Sequence, residues 1–195
     1  SYAAEILESK ELFNEQWVQC RESMGELCFM LGRYAEADRI YRQLLENEHL
    51  VKLSIVEKTR FIRSQGKTYE VQGDYDRALQ CYKKANSLIS QDNIDKEHSD
   101  RDSLYLEKIW TTSALGGLYV RMGKYDKAMK ISIEALKIIE SAHETIEHAL
   151  VFSTIGRANY FKGNLPQAIE FHTRSLEIQE KLNNVPEKIM TLNNL

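Results

Sequence analysis

GKTYEVQGDYDRALQCY (Gly66–Tyr82) is one of four copies of a single pattern. The others read GELCFMLGRYAEADRIY (Gly25–Tyr41), GGLYVRMGKYDKAMKIS (Gly116–Ser132) and GRANYFKGNLPQAIEFH (Gly156–His172). In each copy a second Gly follows the first by seven residues, and an Ala follows by twelve. A domain with one mixed core has no need of that spacing four times over. A stack of similar helical hairpins does. Such a stack presents a surface for holding another molecule, so the pattern points to binding rather than catalysis.

Each kept residue has a physical reason. Two antiparallel helices joined by a short turn approach closely only where side chains are small. Gly66 and Ala78 are expected to meet at such a point, with Tyr69 and Tyr82 filling the space beside it. Gly73 follows the last turn of the first helix, where a positive φ costs glycine little. Asp74 is placed to cap the second helix, and Pro166 falls in the first turn of its own. Helices are predicted near 2–13, 16–31, 34–47, 51–72, 75–90, 103–122, 125–140, 145–162, 165–182 and 187–195.

Outside the pattern, composition sets limits. The 195 residues are 43% hydrophobic and 28% charged, the balance of a folded chain rather than a disordered one. A net charge of −3 argues against a nucleic-acid partner, which needs a concentrated basic excess. No long apolar run suggests a membrane span. Cys20 and Cys28 would lie on one helix about 12 Å apart, too far for a disulfide. With Cys81 they make an odd set without metal-ligand spacing, which fits a reducing cytoplasm and buried thiols.

The pattern resembles the tetratricopeptide repeat, W-x2-L-G-x2-Y followed by a helix-B Ala. The likeness covers nearly the whole chain. Its Gly falls on Gly25, Gly66, Gly116 and Gly156, and its Ala on Ala37, Ala78, Ala128 and Ala168. Its Tyr is Tyr69 and Tyr119 in two copies, but Cys28 and Asn159 in the others. The pattern's Trp is missing; Arg21, Ile62, Thr112 and Phe152 stand there. The resemblance implies an all-α fold, a right-handed solenoid of antiparallel helix hairpins. Leu176–Leu195 is similar to the long-helix repeats of kinesin light chains, Pins-type adaptors and bacterial signalling ATPases.

The copies start 41, 50 and 40 residues apart. The expected organisation is a single array: 1–14 as the end of a preceding repeat, then repeats at 15–49, 50–90, 103–142 and 143–184. Residues 91–102 form an acidic loop, with Asp102 or Ser103 capping the next helix, and 185–195 begin a truncated fifth repeat. Both ends read as cut, so the chain is expected to belong to a longer, multidomain protein.

No catalytic, cofactor or metal set emerges. His143 and His148 mimic a zinc-protease pair, but five residues place them about 140° apart on a helix, not on one face. Gly66-Lys67-Thr68 mimics the end of a phosphate loop, but Phe61 stands where its first Gly belongs. The chain is therefore expected not to be an enzyme.

The resemblance implies that helix A of each repeat lines a concave groove. The implied groove positions are Gln19, Glu22, Glu26, Phe29 and Met30 in copy one, and Arg60, Arg63, Lys67, Glu70 and Val71 in copy two. They are Trp110, Ser113, Gly117, Val120 and Arg121 in copy three, and Leu150, Ser153, Arg157, Tyr160 and Phe161 in copy four. Spacings of three and four put Arg60, Arg63 and Lys67 on one helix face. Partner-binding candidates are Arg60, Arg63, Lys67, Trp110, Arg121, Arg157, Tyr160 and Phe161. They suit a peptide or partner helix with acidic and apolar residues. Glu22, Glu26 and Ser64 replace the basic and amide residues that a chaperone-tail clamp needs. The expected function is a cytoplasmic protein-interaction module, an adaptor or scaffold without cofactor. The alternative is a sensor or autoinhibitory segment of a signalling ATPase, kinase or transcription regulator. Self-association through the cut ends is also expected.

Overall fold

The computed structural model describes residues 2–47, 52–89, 101–139 and 145–182, with side chains from residue 14 onward save 138. Among the described residues every regular element is a helix. They fall into two compact units, Ser1–Leu88 and Ile89–Leu195.

The first unit holds α1 (Tyr2–Met30), α2 (Tyr34–Glu46), α3 (Ile55–Val71) and α4 (Tyr75–Leu88). Each packs on the next. The core between them gathers Val18, Cys28, Ile40, Tyr41, Leu44, Leu53 and Phe61, with Trp17 and Phe29 at its edge. Leu44 and Phe61 are fully buried, each worth roughly 2–3 kcal/mol. One helix spans α1 where two were predicted. The supposed break at Asn14–Glu15 contains no Gly or Pro, and Asn costs only about 0.7 kcal/mol in a helix. The start of α3 is at Ile55 rather than 51 because Ser54 closes a reciprocal cap. Its hydroxyl accepts from Glu57 N–H at 3.2 Å, while Glu57 Oε2 accepts from Ser54 N–H at 2.8 Å.

The second unit holds α5 (Arg101–Arg121), α6 (Tyr125–Ile139), α7 (Ile146–Phe161) and α8 (Leu165–Lys181). Ile109, Ala135, Ile139, Val151 and Ile155 form a core there, flanked by Met129, Leu136 and Phe171. Here α5 packs on α7 as well as on α6. Arg101 is already helical, so Asp102 and Ser103 lie inside α5 rather than capping it. The rest of the predicted acidic loop, and the helix predicted at 187–195, lie outside the described residues.

The four hairpin turns are built alike. Gly32, Gly73, Gly123 and Gly163 have φ of 74°, 80°, 70° and 81°. The next N–H in each donates back to the carbonyl of Cys28, Tyr69, Tyr119 or Asn159 at 2.8–2.9 Å. Asp74 Oδ1 accepts from Arg77 N–H at 3.0 Å, as its cap position predicts. Pro166 occupies the first turn of α8.

The first Gly of each copy lies against the residue sixteen positions on. As expected, Tyr82 fills the space beside Gly66: a Cβ on Gly66 would lie 2.7 Å from Tyr82 Cε1. The rule holds sixteen residues on in every copy: Gly25 meets Tyr41 and Gly156 meets His172, each at 2.9 Å. In the third copy the residue is Ser132, whose Oγ would lie 3.1 Å from a Cβ on Gly116 and which, being small, leaves room for a second neighbour. Thr154 Cγ2 of α7 fills it, 3.2 Å from where a Cβ would be. A small residue at the ring position thus lets α5 and α7 touch.

Candidate functional site

In the first unit, α1 and α3 line a pocket of about 260 Å³ whose base is the Tyr41 side chain of α2. From α1 come Glu26, Phe29 and Met30; from α3 come Arg60, Arg63, Ser64 and Lys67. Helical spacing brings 26, 29 and 30 to one face, and likewise 60, 63, 64 and 67. Six of these were implied groove positions. Tyr41 and Ser64 were not, although a ring sixteen residues after the first Gly is readable in three of the four copies.

The pocket is electrostatically mixed rather than a plain basic stripe. Arg60 Nε pairs with Glu22 Oε1 at 2.7 Å, so two implied groove residues neutralise each other. Lys67 Nζ lies 4.8 Å from the centre of the Phe29 ring, a cation–π contact that holds the ammonium beside apolar surface. Met30 is 74% exposed at the mouth. Burial, together with the Glu26 carboxylate, pushes the Tyr41 phenol up to about 12, against the pull of the Ser64 hydroxyl and Arg63. Tyr41 is therefore a neutral group at physiological pH.

In the second unit the candidates divide. Tyr160 and Phe161, each 55% exposed, meet edge to face at 5.3 Å. Phe161 also stacks on Tyr125 of the preceding repeat at 5.6 Å and 6°. Beside this platform, Lys162 pairs with Asp126 at 2.5 Å. Arg157 lays its guanidinium over Gly117, so that implied groove position is covered by another; Val120 is buried in the unit's interior. Arg121 is exposed at the end of α5. Trp110 is half-buried on α5.

Other sequence candidates resolve into structure. His148 is buried, and its Nδ1 accepts from Thr145 N–H at 3.1 Å, so it caps the start of α7. His143 and Glu144 lie outside the described residues. Among the described residues no group of three His, Cys, Asp or Glu is placed to hold a metal. Cys28 is buried and Cys81 half-buried, its thiol pushed up to about 11 chiefly by burial; Cys20, contrary to expectation, is exposed on α1. No helix among the described residues is long and apolar enough to cross a membrane.

The repeated glycine turns and the ring-on-glycine contacts agree with the family comparison. Profiles of the tetratricopeptide repeat match residues 107–181 and 64–92. The chain belongs to the tetratricopeptide-repeat family. Its all-α helical-hairpin solenoid is also that of solved structures. One is BtubC (BKLC) from P. vanneervenii, 17% identical, with a TM-score of 0.68 over 87% of this chain and 66% of that one. Another is a Rap protein complexed with Competence and Sporulation Factor, 16% identical, with a TM-score of 0.69 over 88% of this chain and 45% of that one. YrrB, described as a repeat protein of this family with an unusual peptide-binding site, is 16% identical with a TM-score of 0.35, covering 89% of each chain. The tetratricopeptide chain thus spans less than two thirds of the first two relatives. No curated protein matches it.

Proposed function

We propose that this tetratricopeptide array is a protein-interaction module without catalysis of its own, binding a peptide or partner helix on its helix-A surface. The observation that carries the reading is the pocket of the first unit. There Arg60, Arg63 and Lys67 of one repeat face Glu26, Phe29 and Met30 of the one before it. Cations and a ring at one mouth suit a partner segment with acidic and apolar residues. In the second unit, Arg121, Arg157, Trp110, Tyr160 and Phe161 are the proposed further contacts. Tyr160 and Phe161 would act as aromatic anchors. Neither a nucleic acid nor a membrane is the proposed partner.

The test is affinity capture with the native chain and with an Arg63→Glu/Arg157→Glu variant that keeps its helical circular dichroism. A partner retained by the native chain and lost with the variant supports the reading; equal retention by both refutes it. A second reading keeps the same surface but makes the array a sensor or autoinhibitory segment of a larger signalling ATPase, kinase or transcription regulator. Its support is the fold shared with the Rap protein, of which the chain spans only 45%. Sequence beyond either end that encodes a nucleotide-binding or helix-turn-helix domain would favour it.

A further inference from the structure

On α1 a stripe of apolar side chains lies open. Cys20 is exposed, and Met24, Leu27 and Leu31 are 44%, 51% and 61% exposed. Leu31 N–H still donates to the Leu27 carbonyl at 3.0 Å, so it continues the helical register. At about 100° per residue the four fall within about 60° of one another. In the later copies the aligned positions are closed. Phe61, Thr111 and Val151 align with Cys20, and Thr68, Leu118 and Ala158 with Leu27; all of them are 0% exposed. The second helix of the preceding repeat supplies cover there: Phe61 shares a core with Ile40 and Leu44 of α2, and Val151 with Ala135 and Ile139 of α6. α1 thus carries a repeat-stacking face that no second helix covers among the described residues. The residues just before it do not fold back over it, because one unbroken helix runs from Tyr2 to Met30.

We propose that α1 is a homodimerisation helix, its Cys20–Met24–Leu27–Leu31 stripe packing against the same stripe of a second copy. The spacing of four, three and four is the d–a–d–a seam along which two helices pair lengthwise. α1 offers 29 residues, about 44 Å of helix, for such pairing. The stripe and its exposed flanking residues Gln16 and Ser23 hold no charge, in a chain that is 28% charged. The face therefore meets itself without like-charge repulsion, as the core of an interface requires. A surface that is its own complement is also what a two-fold dimer needs. The pocket is on another side of α1: Glu26 and Phe29 lie roughly 160° around the helix from the centre of the stripe. Pairing through the stripe and binding in the pocket thus use separate faces.

Analytical ultracentrifugation of the full chain over a concentration series tests this, with Met24→Glu/Leu27→Glu and Met24→Lys/Leu27→Lys as variants. Both positions are exposed, so each variant should keep the native circular dichroism. The native chain is expected to sediment as a dimer. Each variant should associate at least about a hundredfold more weakly, because like charges then face each other across the seam. An equimolar mixture of the two variants should return the dimer, because opposite charges meet there. A native chain still monomeric at about 100 μM overturns the proposal, since a dimer of micromolar affinity would be nearly complete at that concentration. So does a native dimer that neither variant weakens. Folded, monomeric variants that stay apart when mixed would show that the stripe meets a different surface, and would overturn self-pairing.

Discussion

Replacing Gly66 with Ala puts a methyl carbon 2.7 Å from Tyr82 Cε1, 2.9 Å from its Cδ1 and 3.0 Å from Cys81 Cβ. The ring cannot step aside easily. Tyr82 is 1% exposed, and its hydroxyl donates to Glu70 Oε2 at 2.6 Å. Overpacking of this kind costs about 1–3 kcal/mol. Ala in place of Gly in a helix returns up to about 1 kcal/mol. The net expectation is a loss centred near about 1 kcal/mol, or roughly 2–4 °C in melting temperature for a chain of this size. Gly117→Ala is the internal control. Its nearest obstacle is Arg157 Nη2 at 3.3 Å, the far end of a flexible side chain. There the helix gain prevails, and stability should stay level or rise. Urea and thermal unfolding followed by far-ultraviolet circular dichroism would measure both variants. The reasoning is refuted if Gly66→Ala is as stable as the native chain, or if Gly117→Ala loses as much as Gly66→Ala.

Further expectations follow from the same packing. Asp38 of α2 accepts from Tyr69 Oη at 2.7 Å and Gln65 Nε2 at 2.8 Å and pairs with Arg42, tying repeat one to repeat two. Asp38→Ala should cost about 1–3 kcal/mol of unfolding free energy by urea titration, because it strands two donors. His172 is 1% exposed with no hydrogen-bond partner on either ring nitrogen, and burial, then Arg157, holds it below the usual histidine value. The unfolded chain, titrating near ~6.5, therefore takes up the proton first, and stability should fall as pH drops below that value. Urea melts at pH 7.5 and 5.5 (about one unit either side of that value) should show His172→Phe removing this part of the loss; an unchanged pH dependence would contradict the assignment. Gly73 sits at φ 80° with nothing within 4 Å of a Cβ, so Gly73→Ala should cost about 1–2 kcal/mol from backbone conformation alone. A thermal melt that does not move would show that the turn relaxes.

The repeat, its turns and the helices were legible because four copies repeat the same constraint. A glycine needed at positive φ, and a buried Ala twelve residues after the first Gly, leave few alternatives. Tyr82 was readable as a neighbour of Gly66, and the fold adds how close it lies, since a Cβ on the glycine would come within 2.7 Å of the ring. The continuous α1 was missed because the repeat register ends one repeat at 14 and begins the next at 15, yet no Gly or Pro stands there to end the helix. For the site, helical spacing put Arg60, Arg63 and Lys67 on one helix face, and the groove positions implied by the repeat resemblance supplied Glu26, Phe29 and Met30; all six line the pocket. Neither could reveal the Glu22–Arg60 pair, the Tyr41 base or the stacking of Tyr125 on Phe161, because each joins residues far apart in the chain.

The most direct test of the pocket as the partner's seat is site-specific photo-crosslinking. Benzoylphenylalanine would be placed at Met30, exposed at the mouth, and in a second variant at Lys83, exposed on α4. Each would be irradiated with the partner recovered by affinity capture. Crosslinking from position 30 and none from position 83 is the predicted result. Crosslinking from position 83 but not from position 30 would contradict the account and move the binding surface to the helix-B face.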